Sequence, residues 1–173
     1  MKSQKRYSNS TFTKRVDHEA GSHRGPQAPS EPAKCGTCGA VYADRRWMSA
    51  GAPRKAGKEK HWIPQTITVC PACKQKHAGI AAGFVYISGD FLPSHRPEIE
   101  HLLVNEAERA SVDNPLGQIM GRETDEEGRL VISTTTEHLA QRLGHALEKA
   151  FDGAIRYDFS HENKLARVYW HRD

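Results

Sequence analysis

Gly83-Phe84-Val85-Tyr86-Ile87-Ser88-Gly89-Asp90 is where this chain takes on the texture of a folded domain. The apolar run Phe84–Ser88 reads as a buried strand, and Gly89-Asp90 breaks it. Downstream, Pro97 suits the first turn of a helix capped near Ser94–Arg96, with Ile99, Leu102, Leu103, Ala107 and Ala110 on its apolar face. Asn114-Pro115 closes that helix, because the residue before proline avoids the helical region. Leu116–Arg122 and Arg129–Thr134 then flank Asp125-Glu-Glu-Gly128, a hairpin signature. Thr134-Thr-Thr-Glu137 reads as a capping box for a second helix, with Leu139, Leu143, Ala146, Leu147 and Ala150 on one stripe and a stop at Asp152-Gly153. Ala154–Phe159 and Leu165–His171 form a last hairpin around His161-Glu-Asn163, given strand character by Tyr157, Phe159, Val168 and Trp170. The order is β-α-β-β-α-β-β. It predicts an α+β, ferredoxin-like domain over 78–173, both helices on one face of an antiparallel sheet and the other face open.

Upstream, the chain's four cysteines fall in two pairs, Cys35-Gly-Thr-Cys38 and Cys70-Pro-Ala-Cys73, separated by 31 residues. Two such turns, each presenting two thiolates, complete a tetrahedral Zn²⁺ site. Gly39 supplies a backbone without a Cβ at the first turn, and Pro71 stiffens the second. The spacing predicts a four-cysteine zinc ribbon over 34–77 holding one structural ion. Two disulfides or a redox pair are the alternatives. No apolar signal segment opens the sequence as given, and the βαβ setting of a thioredoxin-like motif is missing. His61 and His77 are weaker candidate ligands beside four thiolates.

The charge is divided along the chain. Residues 1–33 carry six Lys/Arg and three Asp/Glu; residues 34–77 carry nine and two; residues 78–173 carry ten and sixteen. Cations concentrated on the tail and metal module can meet phosphates, although an ordinary solvated surface has the same look. The tail 1–33 is too poor in apolar residues to order itself, so it reads as a disordered basic arm or a dispensable extension. Arg45, Arg46, Arg54, Lys55, Lys58 and Lys60 are candidate phosphate contacts, and Trp47 and Trp62 can stack on unpaired bases. Equally, both tryptophans can simply cover the small core of the metal module. Mean hydropathy of −0.71 and the lack of any long apolar run lead us to expect a soluble, cytoplasmic protein.

No reaction centre is legible. The P-loop, nucleophile-elbow, zinc-protease and dinucleotide signatures are all missing. The Asp125–Glu127 run reads as a solvated hairpin tip, and Glu137-His138 as capping chemistry with an exposed histidine. The expectation is a non-enzymatic protein without a nucleotide cofactor.

The series Cys35-x-x-Cys38-Gly39, Arg46-Trp47, Cys70-Pro-x-Cys73, Ser88-Gly-x-Phe-Leu92, His95-Arg96, Asn114-Pro-Leu-Gly-Gln-Ile-Met120, Thr134-Thr-Thr-Glu-His-Leu-Ala140, Leu143-Gly144 and Arg167-Val-x-Trp170 resembles a family of small bacterial zinc-ribbon proteins. That family is of uncharacterised activity, and some members carry an ATPase label. More remotely, the ribbon and the helix Thr136-Glu-His-Leu-Ala…Leu143-Gly…Phe151 are similar to the archaeal and eukaryotic adaptor for large ribosomal subunit export. The chain departs from that adaptor in having a single four-cysteine set. The resemblance implies RNA, most of all rRNA or the ribosome, as a partner. The alternative is a protein-interaction adaptor or regulator that uses the acidic α+β domain.

Overall fold

The computed structural model describes residues 29–30, 32–50, 66–160 and 165–173. Strand alternation organises the larger part. In β5 (Gly83–Ser88), Val85 and Ile87 are fully buried while Phe84, Tyr86 and Ser88 point the other way and are half-buried. β7 (Leu130–Thr134) buries Leu130 and Ile132, and β9 (Leu165–His171) buries Ala166, Val168 and Trp170. These side chains form one core with Ile99 and Leu103 of α2 (Phe91–Asp113) and with Leu139, Leu143 and Leu147 of α3 (Glu137–Phe151). Both helices therefore cover the same face of the sheet.

The strand order is β6-β7-β5-β9-β8, with β6 at Ile119–Thr124 and β8 at Ala154–Ser160. The β-α-β-β-α-β-β succession is present, but the sheet is mixed and departs from the ferredoxin-like arrangement. β9, not β8, lies beside β5 and runs parallel to it, and β8 is displaced to the edge. Burial explains the exchange. β9 buries every second side chain down to Trp170, whereas β8 buries none fully, so the more apolar strand takes the central position. The indole N–H of Trp170 finds its acceptor in the Asp152 carbonyl at 2.7 Å.

Two local expectations need correction. α2 starts at Phe91, not near Ser94–Arg96, so Pro97 lies inside it. Its start is fixed by tertiary contact: the Phe91 N–H donates to the Arg172 carbonyl just beyond β9. The capping box is also displaced. Thr136 is the N-cap, its hydroxyl oxygen accepting the Leu139 N–H, and Glu137 opens the helix. Thr134 ends β7 instead, where its buried hydroxyl donates to the Thr136 carbonyl at 2.9 Å. The Asp125 hairpin is as expected, with one carboxylate oxygen accepting the N–H groups of Glu127 and Arg129.

The cysteine-bearing part forms a second mixed sheet of order β3-β2-β1-β4. Its strands are β1 (Ala33–Cys35), β2 (Val41–Ala43), β3 (Arg46–Met48) and β4 (Thr66–Thr68). A short helix, α1 (Pro71–Ala78), follows and ends at Gly79 in the left-handed conformation. The second cysteine pair thus sits at a helix start and not on a second ribbon hairpin, since Pro71 at the first helical position favours helix entry.

Candidate metal centre

Each cysteine pair reaches the centre by a different local route. Cys35 ends β1, and the chain turns back at once: the Gly39 N–H donates to the Cys35 carbonyl at 3.0 Å, and the Cys35 N–H to Ala40 at 2.7 Å. This tight return needs Gly39 at φ +77°, which a side chain would disfavour. Cys70 is the N-cap of α1, its sulfur accepting the Cys73 N–H at 3.4 Å. Anionic sulfur is favoured at that position by the orphan amides of the first turn. β4 runs parallel to β1 and brings the two routes together.

The four sulfur atoms all lie within 4.8 Å of one another. Cys35 and Cys73 are 3.8 Å apart, and Cys38 and Cys70 3.6 Å. A tetrahedral ion with bonds of about 2.3 Å to sulfur requires edges of about 3.8 Å, so the donor set fits a single tetrahedral metal. These separations are far above the ~2.05 Å of a disulfide bond, and all four thiols are free. Among the described residues this is the one group of Cys, His, Asp or Glu at metal-ligand spacing.

Electrostatics show why the cluster calls for a cation. Burial would push the Cys35 thiol up, but the backbone amides of Cys38, Cys70 and Thr37 outweigh it and hold it at about 6. Burial pushes Cys73 up to about 11, with the thiols of Cys38 and Cys35 adding to the rise. Burial also drives Cys70 up, and its neighbours Cys73 and Cys38 add to the rise. Thiolates packed this closely cannot all ionise unless a positive ion compensates them.

Around the sulfurs lie Ala40 and Ala72, both buried, and the partly buried Trp47, Val69 and Leu116. Trp47 pairs with Tyr42 across the β2–β3 hairpin, ring centres 5.4 Å apart. Its indole covers the small core. Arg45 occupies the hairpin tip beside Asp44, both at positive φ in a two-residue turn, and exposed Arg46 begins β3. The structure thus packs Trp47 on the metal centre, whereas Arg45 and Arg46 sit at the hairpin tip, at the end of β2 away from Ala40 and the Cys35 turn. Arg54, Lys55, Lys58, Lys60 and Trp62 lie outside the described residues, as do His61 and residues 1–28. His77 is exposed in the last turn of α1 and is not part of the ligand cluster.

Two contributors were missed by sequence reasoning. Leu116 packs on the cysteine cluster from the loop after α2, and Ser49 bonds to the end of α2. The apolar Leu116 between Pro115 and Gly117 was the one available signal. An open cleft of about 250 Å³ lies beside them, lined by Cys38, Ala40, Ser49, Ser111, Pro115 and Gln118. It contains no acid–base pair. Glu137 and His138, at the start of α3, are half-buried and exposed respectively.

No family model, curated protein or solved structure matches the chain. No helix among the described residues is long and apolar enough to cross a membrane.

Proposed function

We propose that this chain is a non-enzymatic, cytoplasmic RNA-binding protein held together by one structural Zn²⁺, with rRNA in the ribosome as its target. The observation that carries this reading is the basic β2–β3 hairpin, with Arg45 and Arg46 at its tip, in the same sheet as the strand that delivers Cys35 to a four-thiolate cluster. All-thiolate tetrahedral coordination suits zinc and leaves no open position for substrate. Four thiolates and one dication leave about two negative charges. The nine Lys and Arg of residues 34–77 exceed that together with the two Asp/Glu, so the module keeps a net positive charge for phosphates. The remote resemblance of the cysteine-bearing region and the Thr136–Phe151 segment to a ribosomal-subunit export adaptor is the ground for naming the ribosome.

A second reading rests on the excess of acidic side chains in residues 78–173, which suits a protein-interaction adaptor docking on a basic partner. Sucrose-gradient sedimentation with ribosomal subunits separates the two. The RNA reading expects co-sedimentation at low salt that falls steeply as salt rises, and its loss on nuclease treatment or in Arg45→Glu/Arg46→Glu protein. Protein remaining at the top of the gradient at low salt refutes it. Partners retained after nuclease treatment favour the adaptor.

A further inference from the structure

The sheet face away from the helices carries a row of aromatic rings and guanidinium groups that the clamp does not use. Tyr86 and Tyr169 are direct partners in the parallel β5–β9 pairing, and their rings stack 4.9 Å apart with planes 11° from parallel. Arg129 lies over the outer side of this pair, 5.2 Å from the Tyr86 ring centre. Arg156, on edge strand β8, lies 4.5 Å from the Tyr169 ring centre. Phe84 extends the aromatic surface along β5, 6.2 Å from Tyr86. The result is a ladder, Arg129–Tyr86–Tyr169–Arg156, running across the central strands.

The two ends of the ladder differ. Arg129 is anchored by Asp125 and Glu127, each at 2.8 Å. Arg156 makes no ion pair among the described residues, and neither does Arg167, two positions before Tyr169 on the same face. Among the described residues the acidic groups of this face are Asp158, opposite Arg167 in the β8–β9 register, Glu123 on β6, and the Asp125 and Glu127 that hold Arg129.

We infer that this face is a stacking platform for the unpaired bases of single-stranded RNA, with the Arg156 end as its entry. An exposed guanidinium over a ring is held more weakly than a base on the same ring, so a base can take the Tyr169 face. The displaced Arg156, with Arg167, then meets the phosphates that flank the base. At this edge Arg156 and Arg167 outnumber Asp158, an excess of positive charge that fits a polyanion. It does not fit the chain's own residues 1–28, whose six Lys/Arg and two Asp/Glu give them the same sign.

This inference rests on the RNA-binding reading and adds a second surface to it. The test is fluorescence anisotropy of the full, zinc-loaded chain with a labelled poly-adenosine RNA of roughly ten nucleotides. Tyr169→Leu and the double variant Arg156→Glu/Arg167→Glu should each weaken binding about tenfold or more, while Tyr169→Phe keeps it. Unchanged thermal melting of the Glu variant, whose sites are on the surface, shows that the loss is not unfolding. The same RNA annealed to its complement should bind less well, and poly-glutamate should not compete. Wild-type affinity in both the Leu and Glu variants, equal affinity for the duplex, or competition by poly-glutamate overturns the platform. If binding then still falls with Arg45→Glu/Arg46→Glu, the hairpin reading stands alone. No RNA binding by the wild-type chain under any salt condition removes both.

Discussion

The hydroxyl of Ser49 donates to the backbone carbonyl of Ser111, tying the cysteine-bearing module to the last turn of α2. The same oxygen lies 3.3 Å from the Val112 carbonyl. The final carbonyls of a helix have no partner within it, so Ser49 supplies a donor that α2 lacks. Leu116 completes the joint by packing on the cysteines. Ser49→Ala should lower unfolding stability by about 1 kcal/mol without changing metal content. Denaturant melts beside metal analysis check this, and an unchanged midpoint would show that water replaces Ser49 without cost.

Gly144 is the close-approach point between α3 and the sheet. A Cβ there would come within 2.6 Å of Val168 Cγ1 and 3.1 Å of Ile155 Cδ1. Val168 is fully buried and β-branched, so it cannot rotate away. Alanine gains about 1 kcal/mol of helix propensity, but overpacking of this kind costs about 1–3 kcal/mol. Gly144→Ala should therefore be destabilising on balance, contrary to what propensity alone predicts. A thermal melt decides the sign.

α2 and α3 are also joined by an ion pair, Arg142 Nε to Glu106 Oε1 at 2.6 Å. The hydrogen bond from Arg142 holds the Glu106 carboxyl below its ordinary value against the opposing effect of burial, helped by the charges of Arg142 and Arg109. A depressed folded value means the contribution is complete above the unfolded carboxylate value and disappears as pH falls through the folded one. Arg142 is 41% exposed on its side chain, which limits the pair to about 0.5–1 kcal/mol. Glu106→Gln should be less stable than wild type near neutrality, with the gap closing as the solution is acidified. A gap independent of pH would refute the assignment.

Period and punctuation made much of the larger domain legible. The buried alternation of Phe84–Ser88, the leucine stripe of α3 and the Asp125 turn all stand where local chemistry puts them. The strand order was not legible, because choosing β9 over β8 beside β5 depends on burial of Trp170 and Val168 from both helices. The start of α2 was hidden for a similar reason: the Arg172 carbonyl that fixes it lies at the other end of the sequence. At the site, the paired cysteines announced their meeting. The α1 start was readable only through Pro71. Leu116 and the Tyr86–Tyr169 ladder needed the tertiary fold to be seen.

The central claim is that the four-thiolate clamp holds an RNA-binding surface in shape. The most direct measurement is an anisotropy titration of the full chain with an rRNA fragment, before and after zinc is stripped by a chelator and then restored. The account predicts one zinc per chain, loss of binding in step with loss of metal, and recovery on adding zinc back. Binding of undiminished affinity by the metal-free chain would contradict it.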